Sequence, residues 1–266
     1  VVDDYSTDNT IEIVSRIPDP RLKIIKLDKK SGAQSARNRG IVEAKSEWIA
    51  FLDSDDFWIN NKIEIQINEL RKINFFPYTV VHSNCFCYDE ITGKSWIWNL
   101  PKTDGYCFDL LLQRPSPCFP AILTSKMALF KIGLLDESII SYQEWDTSIR
   151  LSQFCQFIHI SEPLFTYVFH SGETISKSKP KEVEGYFQII KKFKNELNKK
   201  GLLLGHLRYL LLKAYEHDLK EIIFEILSLL EEQKDGRKII LSMVKSPEVN
   251  LNLKNMILKF LLKEVF

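Results

Sequence analysis

The chain has 266 residues, of which 45% are hydrophobic and 27% are charged, and its formal net charge is +1. This composition is that of an ordinary folded domain, and it excludes a disordered tail, a collagen-like fibre and a disulfide-stabilised miniprotein. The small net charge gives no general attraction to nucleic acid, so we expect no nucleic-acid partner. The five cysteines form no C-x-x-C pair, which argues against a structural zinc site and favours a reducing compartment.

The first two thirds of the chain alternate strand and helix patterns. Val1 and Val2 are typical of the end of a strand, and a helix pattern runs from Asp8 to Pro18. This order predicts an α/β fold, with a mostly parallel mixed sheet covered by helices, in which ligands bind beyond the carboxyl ends of the strands. Further strands are predicted over residues 22–27, 47–52 and 78–88, and further helices over residues 33–44 and 62–73.

The chain changes character in the polar run SKSKPK. The residues before Lys177 carry a net charge of −5, and those from Lys177 to the end carry +6. In the second part the apolar residues recur at helical spacing, as in EIIFEILSLL. We therefore expect two domains, an α/β domain over residues 1–178 and an all-helical extension over residues 179–266.

Three carboxylates follow the apolar strand pattern EWIAFL. They repel one another unless a cation offsets their charge. Asp53 and Asp55 are two residues apart, so an extended segment would point both to the same side. Such oxygen ligands suit Mg²⁺ or Mn²⁺, which keep positions open for water and phosphate oxygens. An acidic loop that caps the next helix is the alternative, and the motif alone does not decide between them.

Two other segments contain candidate binding residues. Asp3 and Asp4 follow a strand and could accept hydrogen bonds from a base or a ribose, whereas Ser6 and its neighbours could cap the next helix. In SGAQSARNRG, Arg37 could face phosphate or the acidic residues, or it could lie at the solvated start of a helix.

The segment SYQEWDTSIRL contains a candidate general base. Glu144 and Asp146 flank Trp145, and an aromatic neighbour can desolvate a carboxylate and raise its pKa towards that of a useful base. The alternative is an amphipathic helix start, where the helix dipole favours acidic residues.

Together these segments resemble the family 2 glycosyltransferases, which have a GT-A fold and are common in bacterial capsule, O-antigen and cell-wall synthesis. VVDDYSTDNT is similar to the family's V-D-D-x-S-x-D-x-T, SGAQSARNRG to its G-x-x-x-A-R-N-x-G, and FLDSDD to its D-x-D stretch. KIGLLDESIISYQEWDTSIRL is similar to G-x-F-D-E followed by E-D-W-D-x-x-x-R-L. The resemblance covers roughly residues 1–175, and four loose motifs in the right order make a strong joint signal.

The resemblance implies a nucleotide site. Asp4 would contact the base, with Asp3 and Ser6 close by. Arg37 would support the nucleotide side, and Asp53 would lie beside the ribose and the metal.

The resemblance also implies a bound Mn²⁺ or Mg²⁺ ion. Asp55 would be its principal ligand, with Asp53 beside it and Asp56 as a weaker candidate. PLFTYVFHSGETIS is similar to the family's Y-R-x-H-x-x-S, so His170 would approach the metal or the diphosphate. Val168 stands where the family usually has Arg.

The family's base precedes the Arg of its R-L pair by six residues, and here that position is Glu144. The family usually has Glu-Asp where this chain has Gln143 and Glu144, so Asp146 is a second candidate.

The implied reaction is an inverting transfer from a nucleoside diphosphate donor, with a UDP-sugar favoured, to a hydroxyl of a glycan or lipid-linked acceptor. The expected location is cytoplasmic. The last helix pattern has an apolar face that could lie on an anionic membrane. This face contains Leu253, Ile257, Phe260 and Leu261, beside Lys254, Lys259 and Lys263. Packing within the helical extension is the favoured alternative.

Other functions are less consistent with the pattern. A response-regulator-like receiver needs one phosphoacceptor Asp and a later Lys at a strand end, and a haloacid-dehalogenase-like phosphatase has D-x-D on its first strand. An inactive module that binds nucleotide or glycan stays open, because Gln143, Glu144 and Val168 depart from the family pattern. The family's first strand and its Pro-x-Tyr-Asn turn are also missing, so we expect the natural protein to be longer at this end.

Overall fold

The computed structural model describes residues 1–172, 178–247 and 249–262. It forms two compact units. The α/β unit contains Val1–Ser138 and Gln143–Gly172, and the helical unit contains Ile139–Tyr142 together with the described residues from 178 onwards. A four-residue segment from the middle of the expected α/β domain therefore belongs to the helical unit.

The α/β unit alternates short strands and helices, as the sequence predicts. Its strands are β1 (Val2–Asp3), β2 (Ile25–Lys26), β3 (Trp48–Ala50), β4 (Phe57–Trp58), β5 (Thr79–Asp89), β6 (Ser95–Trp98), β7 (Leu123–Ser125) and β8 (Gln156–Phe169). Its helices are α1 (Thr10–Ser15), α2 (Ala33–Glu43), α3 (Lys62–Lys72), α4 (Phe108–Leu111), α5 (Lys126–Lys131) and α6 (Gln143–Ser152), with a 3₁₀ turn at Phe119–Ala121.

The strands form two sheets. β1 pairs with β2 in parallel, and the larger sheet has the order β3-β7-β5-β8-β4. β6 pairs with the C-terminal part of β5, from Cys85 to Tyr88. The predicted mixed α/β class with a helical extension is confirmed. Antiparallel pairs nevertheless outnumber parallel ones among the described strands, which corrects the expected mostly parallel pairing. The reason is that only β1/β2 and β5/β8 are parallel, whereas β4, β6 and β7 run back against their neighbours.

Helix α3 packs on the larger sheet through residues four apart. Lys62, Gln66 and Leu70 are buried on one face. Leu70 contacts Val81 of β5 and Leu123 of β7 in an apolar cluster. Ile67 and Ile73 pack against the same cluster, and burial of these apolar side chains stabilises the helix.

Lys62 is an unusual member of this core because its side chain is fully buried. Its Nζ donates a hydrogen bond to Gln66 Oε1 at 2.6 Å and lies 4.5 Å from the centroid of the Trp58 ring. The amide of Gln66 in turn donates to the carbonyl oxygen of Ala121 at 2.8 Å.

The helical unit is held together by apolar faces of successive helices. Leu253 and Ile257 of its last helix are buried, which favours packing over the predicted membrane contact, and Lys263 lies outside the described residues.

Within the described residues, no helix has the length and apolar character needed to cross a membrane. The helices are α7 (Lys179–Lys192), α8 (Lys194–Lys199), α9 (Leu203–Glu216), α10 (Lys220–Glu231), α11 (Gly236–Lys245) and α12 (Leu251–Leu261).

Candidate active site

The acidic pair at the end of β1 anchors the start of α2. The carboxylate of Asp4 accepts hydrogen bonds from the backbone N–H groups of Ser31 at 2.6 Å and Gly32 at 2.8 Å. Gly32 has a φ of 93°, a conformation that favours glycine, and the chain turns there into the helix. Each oxygen of Asp4 keeps a second lone pair for a ligand, so this structural role is compatible with the predicted base contact.

Asp3 and Ser6 form the turn that presents Asp4. Asp3 is buried, and both of its carboxylate oxygens accept from the backbone N–H of Ser6, at 3.2 and 3.3 Å. Tyr5, between them, has a φ of 65°. The structure therefore brings the three predicted residues into one turn, and Asp4 is the one that reaches α2.

Arg37 joins α2 to the loop after β3. Its Nη2 donates to Asp53 Oδ1 at 2.5 Å, and its Nη1 donates to Gln34 Oε1 at 3.0 Å. The guanidinium also lies over the ring of Phe119, 4.4 Å from its centroid. Only 17% of the Arg37 side chain and 31% of the Asp53 side chain are exposed, so water screens this ion pair weakly.

The D-x-D stretch forms a turn, closed by a hydrogen bond from the Asp56 backbone N–H to the Asp53 carbonyl oxygen at 3.2 Å. Asp53 pairs with Arg37, whereas Asp55 Oδ2 lies 3.1 Å from Nε2 of His170. The expected extended segment, with both carboxylates on one side, is therefore replaced by a turn in which Asp53 and Asp55 have different partners.

His170 follows β8 and comes to Asp55 from 115 residues further along the chain. Its Nδ1 accepts a hydrogen bond from the backbone N–H of Gly172 at 3.1 Å. A neutral ring that accepts at Nδ1 carries its proton on Nε2, so Nε2 is the donor to Asp55. The structure thus brings together two of the residues that the resemblance implies for the metal.

Asp56 is a buried carboxyl in the same turn. Its Oδ1 accepts from the backbone N–H of Val168 at 3.1 Å, and within the described residues its Oδ2 has no hydrogen-bond partner. Burial raises the pKa of Asp56 to about 7; the Val168 hydrogen bond opposes this rise, and the charges of Asp53 and Asp55 add to it. Additional positive charge nearby would favour its ionised form.

Glu144 lies in the first turn of α6, next to Gln143, whose Oε1 accepts a hydrogen bond from Arg37 Nη1 at 3.5 Å. Burial raises the pKa of this carboxyl; the charge of Asp53 raises it further, and the charge of Arg37 lowers it. Glu144 therefore lies within electrostatic range of Arg37 and Asp53. A carboxylate with a raised pKa is suited to act as a general base.

Asp146, the second candidate base, forms a buried ion pair with Arg150. It is fully buried, and its Oδ2 accepts from Nε and Nη2 of Arg150 at 2.9 and 2.7 Å. The same guanidinium donates from Nη1 to the carbonyl oxygens of Ile132 at 2.8 Å and Leu134 at 2.7 Å. Asp146 is thus engaged by Arg150, and the assignment of the base to Glu144 stays a prediction.

Asn38 is an important residue that the motif comparison did not single out. Its buried Nδ2 donates to the Leu135 carbonyl oxygen and to Glu137 Oε1, both at 2.9 Å, and its Oδ1 accepts from the Leu135 backbone N–H at 2.9 Å. Asn has a low helix propensity, so an Asn inside a predicted helix suggests that its side chain makes hydrogen bonds elsewhere. This was the signal in the sequence that could have identified Asn38.

Comparisons with known proteins agree with this architecture. The chain is 29% identical to the Escherichia coli UDP-Glc:alpha-D-GlcNAc-diphosphoundecaprenol beta-1,3-glucosyltransferase WfgD, over 78% of this chain and 79% of the relative. It is 25% identical to the putative colanic acid biosynthesis glycosyl transferase WcaA of E. coli strain K12, over 90% and 84% of the two chains.

Among solved structures, the chain is similar to S. aureus TarS 1-349 in complex with UDP-GlcNAc. The TM-score is 0.66 at 16% sequence identity, and the match covers 92% of this chain and 74% of that one, which shows a shared fold. The family model named Glycosyl transferase family 2 matches residues 1–136, just over half of the sequence. The chain therefore belongs to glycosyl transferase family 2.

Proposed function

We propose that this protein is a metal-dependent inverting glycosyltransferase of cell-surface polysaccharide synthesis. It moves a sugar from a nucleoside diphosphate donor, with a UDP-sugar favoured, to a hydroxyl of a glycan or lipid-linked acceptor. The observation that carries the proposal is the convergence of the Arg37–Asp53 pair, the Asp55–His170 pair and Glu144 in one unit.

The residues present fit a divalent cation. Asp55 Oδ2 and His170 Nε2 lie 3.1 Å apart and are an oxygen and a nitrogen of the kind that Mn²⁺ accepts as ligands. To bind the ion through Nε2, the neutral ring would carry its proton on Nδ1 instead, which would replace the hydrogen bond from the Gly172 N–H. Asp53 pairs with Arg37, and Glu144 interacts electrostatically with both residues, whereas the charges of Asp53 and Asp55 both act on Asp56. This concentration of carboxylates favours a bound cation. Asp56 Oδ2 adds a buried oxygen that, among the described residues, has no hydrogen-bond partner.

The protein supplies only part of the coordination. Within the described ranges, no group of three or more His, Cys, Asp or Glu residues is arranged to hold a metal ion. Asp55 and His170 would hold the ion, and phosphate oxygens and water would complete its shell. When bound, the metal acts as a Lewis acid that offsets charge on the departing diphosphate.

Glu144 performs the proton transfer. It accepts the proton of the acceptor hydroxyl while that oxygen attacks the anomeric carbon on the face opposite the diphosphate, and the configuration is inverted. The transition state is oxocarbenium-like, as in glycoside hydrolysis. One carboxylate suffices, because the diphosphate leaves without a proton. Arg37 holds Asp53 in place on the donor side.

The names of the relatives support the substrate classes. WfgD is named for a UDP-Glc donor and a diphosphoundecaprenol-linked acceptor, and the TarS structure contains UDP-GlcNAc. The proposal includes a cytoplasmic location, in keeping with five free thiols, which a reducing compartment maintains.

Calorimetric titration of UDP, with and without Mn²⁺, tests the proposal. We expect Mn²⁺-dependent binding that Asp55→Ala abolishes, whereas the control Glu144→Gln binds UDP but does not transfer sugar. Equal UDP binding by the wild type and Asp55→Ala would contradict the metal site. UDP binding without sugar transfer or donor hydrolysis by the wild type would favour the inactive binding module.

A further inference from the structure

Helix α7 of the helical unit holds the segment that leads into the helix of the catalytic base. This segment, Ile139–Tyr142, belongs to the helical unit, and the next residue, Gln143, begins α6. Glu144 follows two residues after Tyr142. The path of the chain at Tyr142 therefore bears directly on the position of the first turn of α6.

Two hydrogen bonds fix the segment to α7. The backbone N–H of Ile140 donates to Gln188 Oε1 at 3.1 Å, and the hydroxyl of Tyr142 donates to Glu182 Oε1 at 2.9 Å. The ring of Tyr142 also lies 5.4 Å, centroid to centroid, from the ring of Tyr186. Contacts from three residues of α7 thus hold both the backbone and a side chain of the segment.

Gly185 allows the segment to approach the helix backbone. A Cβ atom at this position would lie 2.6 Å from the Cβ of Ser141, and 2.7 Å from its backbone nitrogen and oxygen. Real Cβ atoms do not approach other atoms so closely, and backbone atoms can move only if the segment moves. Any side chain at Gly185 would therefore displace the segment from α7.

Tyr142 itself has a φ of 57°, in the left-handed region that a tyrosine rarely adopts. Such a conformation persists only when surrounding contacts impose it. Here the contacts with Glu182 and Tyr186 act on Tyr142 itself. They fix the backbone direction in which α6 begins.

We propose that α7 positions the catalytic base, with Glu182, Gly185 and Gln188 holding Ile139–Tyr142 so that the first turn of α6 presents Glu144 correctly. This inference rests on the proposed role of Glu144. It gives the helical extension a part in catalysis, although these three residues touch neither substrate nor metal. They are positioning residues that act through the peptide bond between Tyr142 and Gln143.

A displaced base reduces turnover more than donor binding. A shift of about 1 Å in a catalytic group can cost roughly 100-fold in rate. We expect Gly185→Ala to lower kcat by about 10- to 100-fold, while the KM for the UDP-sugar and the affinity for UDP stay unchanged. Because the surroundings of Glu144 change, the acid limb of the kcat profile also shifts.

The side-chain contacts allow a matched series. Glu182→Ala removes the acceptor of the Tyr142 hydroxyl hydrogen bond and lowers kcat. Glu182→Gln keeps an acceptor oxygen, so its kcat should be close to that of the wild type. Tyr209→Phe is the control, since Tyr209 lies against Tyr186 in the same unit. If Gly185→Ala does not fold, Glu182→Ala and Tyr142→Phe provide the same comparison.

Hydrogen exchange gives a second readout that does not require turnover. Peptides covering residues 139–147 should exchange faster in Gly185→Ala or Glu182→Ala, with peptides from α9 unchanged. Wild-type exchange and kcat in both variants would overturn the positioning role and leave the proposed function intact. Full transfer activity of Glu144→Gln would instead refute the assignment of the base.

Discussion

The ion pair between Arg37 and Asp53, with 2.5 Å between Nη2 and Oδ1, connects α2 to the turn that follows β3. The guanidinium makes four contacts, with the Asp53 carboxylate, with the side-chain amide oxygens of Gln34 and Gln143, and with the face of the Phe119 ring. Only a planar guanidinium with several N–H donors can make all of these contacts at once, so lysine is not an equivalent replacement.

We therefore predict that Arg37→Lys weakens UDP binding by roughly tenfold, which corresponds to about 1.4 kcal/mol. The ammonium can reach Asp53 but cannot also stack on the ring. Calorimetry at constant Mn²⁺ measures this change. Arg39→Lys is the control, because Arg39 is half exposed and pairs with Glu43 on the same helix. An equal loss of UDP affinity in both variants would mean that the substitutions act only by destabilising α2.

The second prediction concerns the pH dependence of transfer. Burial raises the pKa of Glu144 above its usual value of 4.5, and the base must be ionised to accept a proton. Activity is therefore lost as the pH falls through this raised pKa, so the acid limb of kcat should lie above pH 4.5. Glu144→Gln should lower kcat by about 10²- to 10⁴-fold. An acid limb at or below pH 4.5 in the wild type would contradict this assignment.

Asp146→Asn tests the structural role of its partner on α6. Breaking a buried ion pair leaves the Arg150 charge uncompensated, and we expect a loss of about 3–5 kcal/mol in the free energy of unfolding. Denaturant unfolding measures it. Asp19→Asn, which breaks the exposed pair with Arg21, should leave the unfolding midpoint unchanged. Wild-type stability with abolished turnover in Asp146→Asn would instead make Asp146 the better candidate for the base.

The fourth prediction concerns stability above neutral pH. Burial lowers the pKa of Lys62 from 10.5 to about 7. Between these values the unfolded chain binds a proton that the folded chain does not, so the free energy of unfolding should rise with pH in this window. The full gain is on the order of 5 kcal/mol. Lys62→Met should remove this rise, whereas Lys72→Met, at an exposed position, should keep it. A wild-type profile that is flat or falling relative to Lys62→Met would contradict the prediction.

The strand and helix elements of the α/β unit were largely predictable because their signals are local. The helix pattern over residues 62–73 predicted α3, and the continuous apolar run EWIAFL before Asp53 predicted β3. The turn at residues 53–56 was not predictable from spacing. Its geometry depends on Arg37 and His170, which other parts of the chain bring to the carboxylates.

The choice between Glu144 and Asp146 has a similar explanation. Residues two apart on a helix point about 200° apart, so the two carboxylates cannot both face one site. Which face is buried depends on tertiary packing. Arg150, four residues after Asp146, was the local signal for a structural ion pair. The same limit applies to Ile139–Tyr142, because no local pattern shows that this segment packs on α7.

Arg37 and Asn38 are neighbours on α2 but point about 100° apart around its axis. One pairs with Asp53, and the other makes three hydrogen bonds to the turn that contains Leu135 and Glu137. The two sets of hydrogen bonds thus start from adjacent residues of one rigid helix. A movement of the 135–137 turn that shifts Asn38 would therefore also shift Arg37. A substitution in the 135–137 turn would therefore alter donor affinity from a distance, and a survey by activity alone would mistake it for a binding residue.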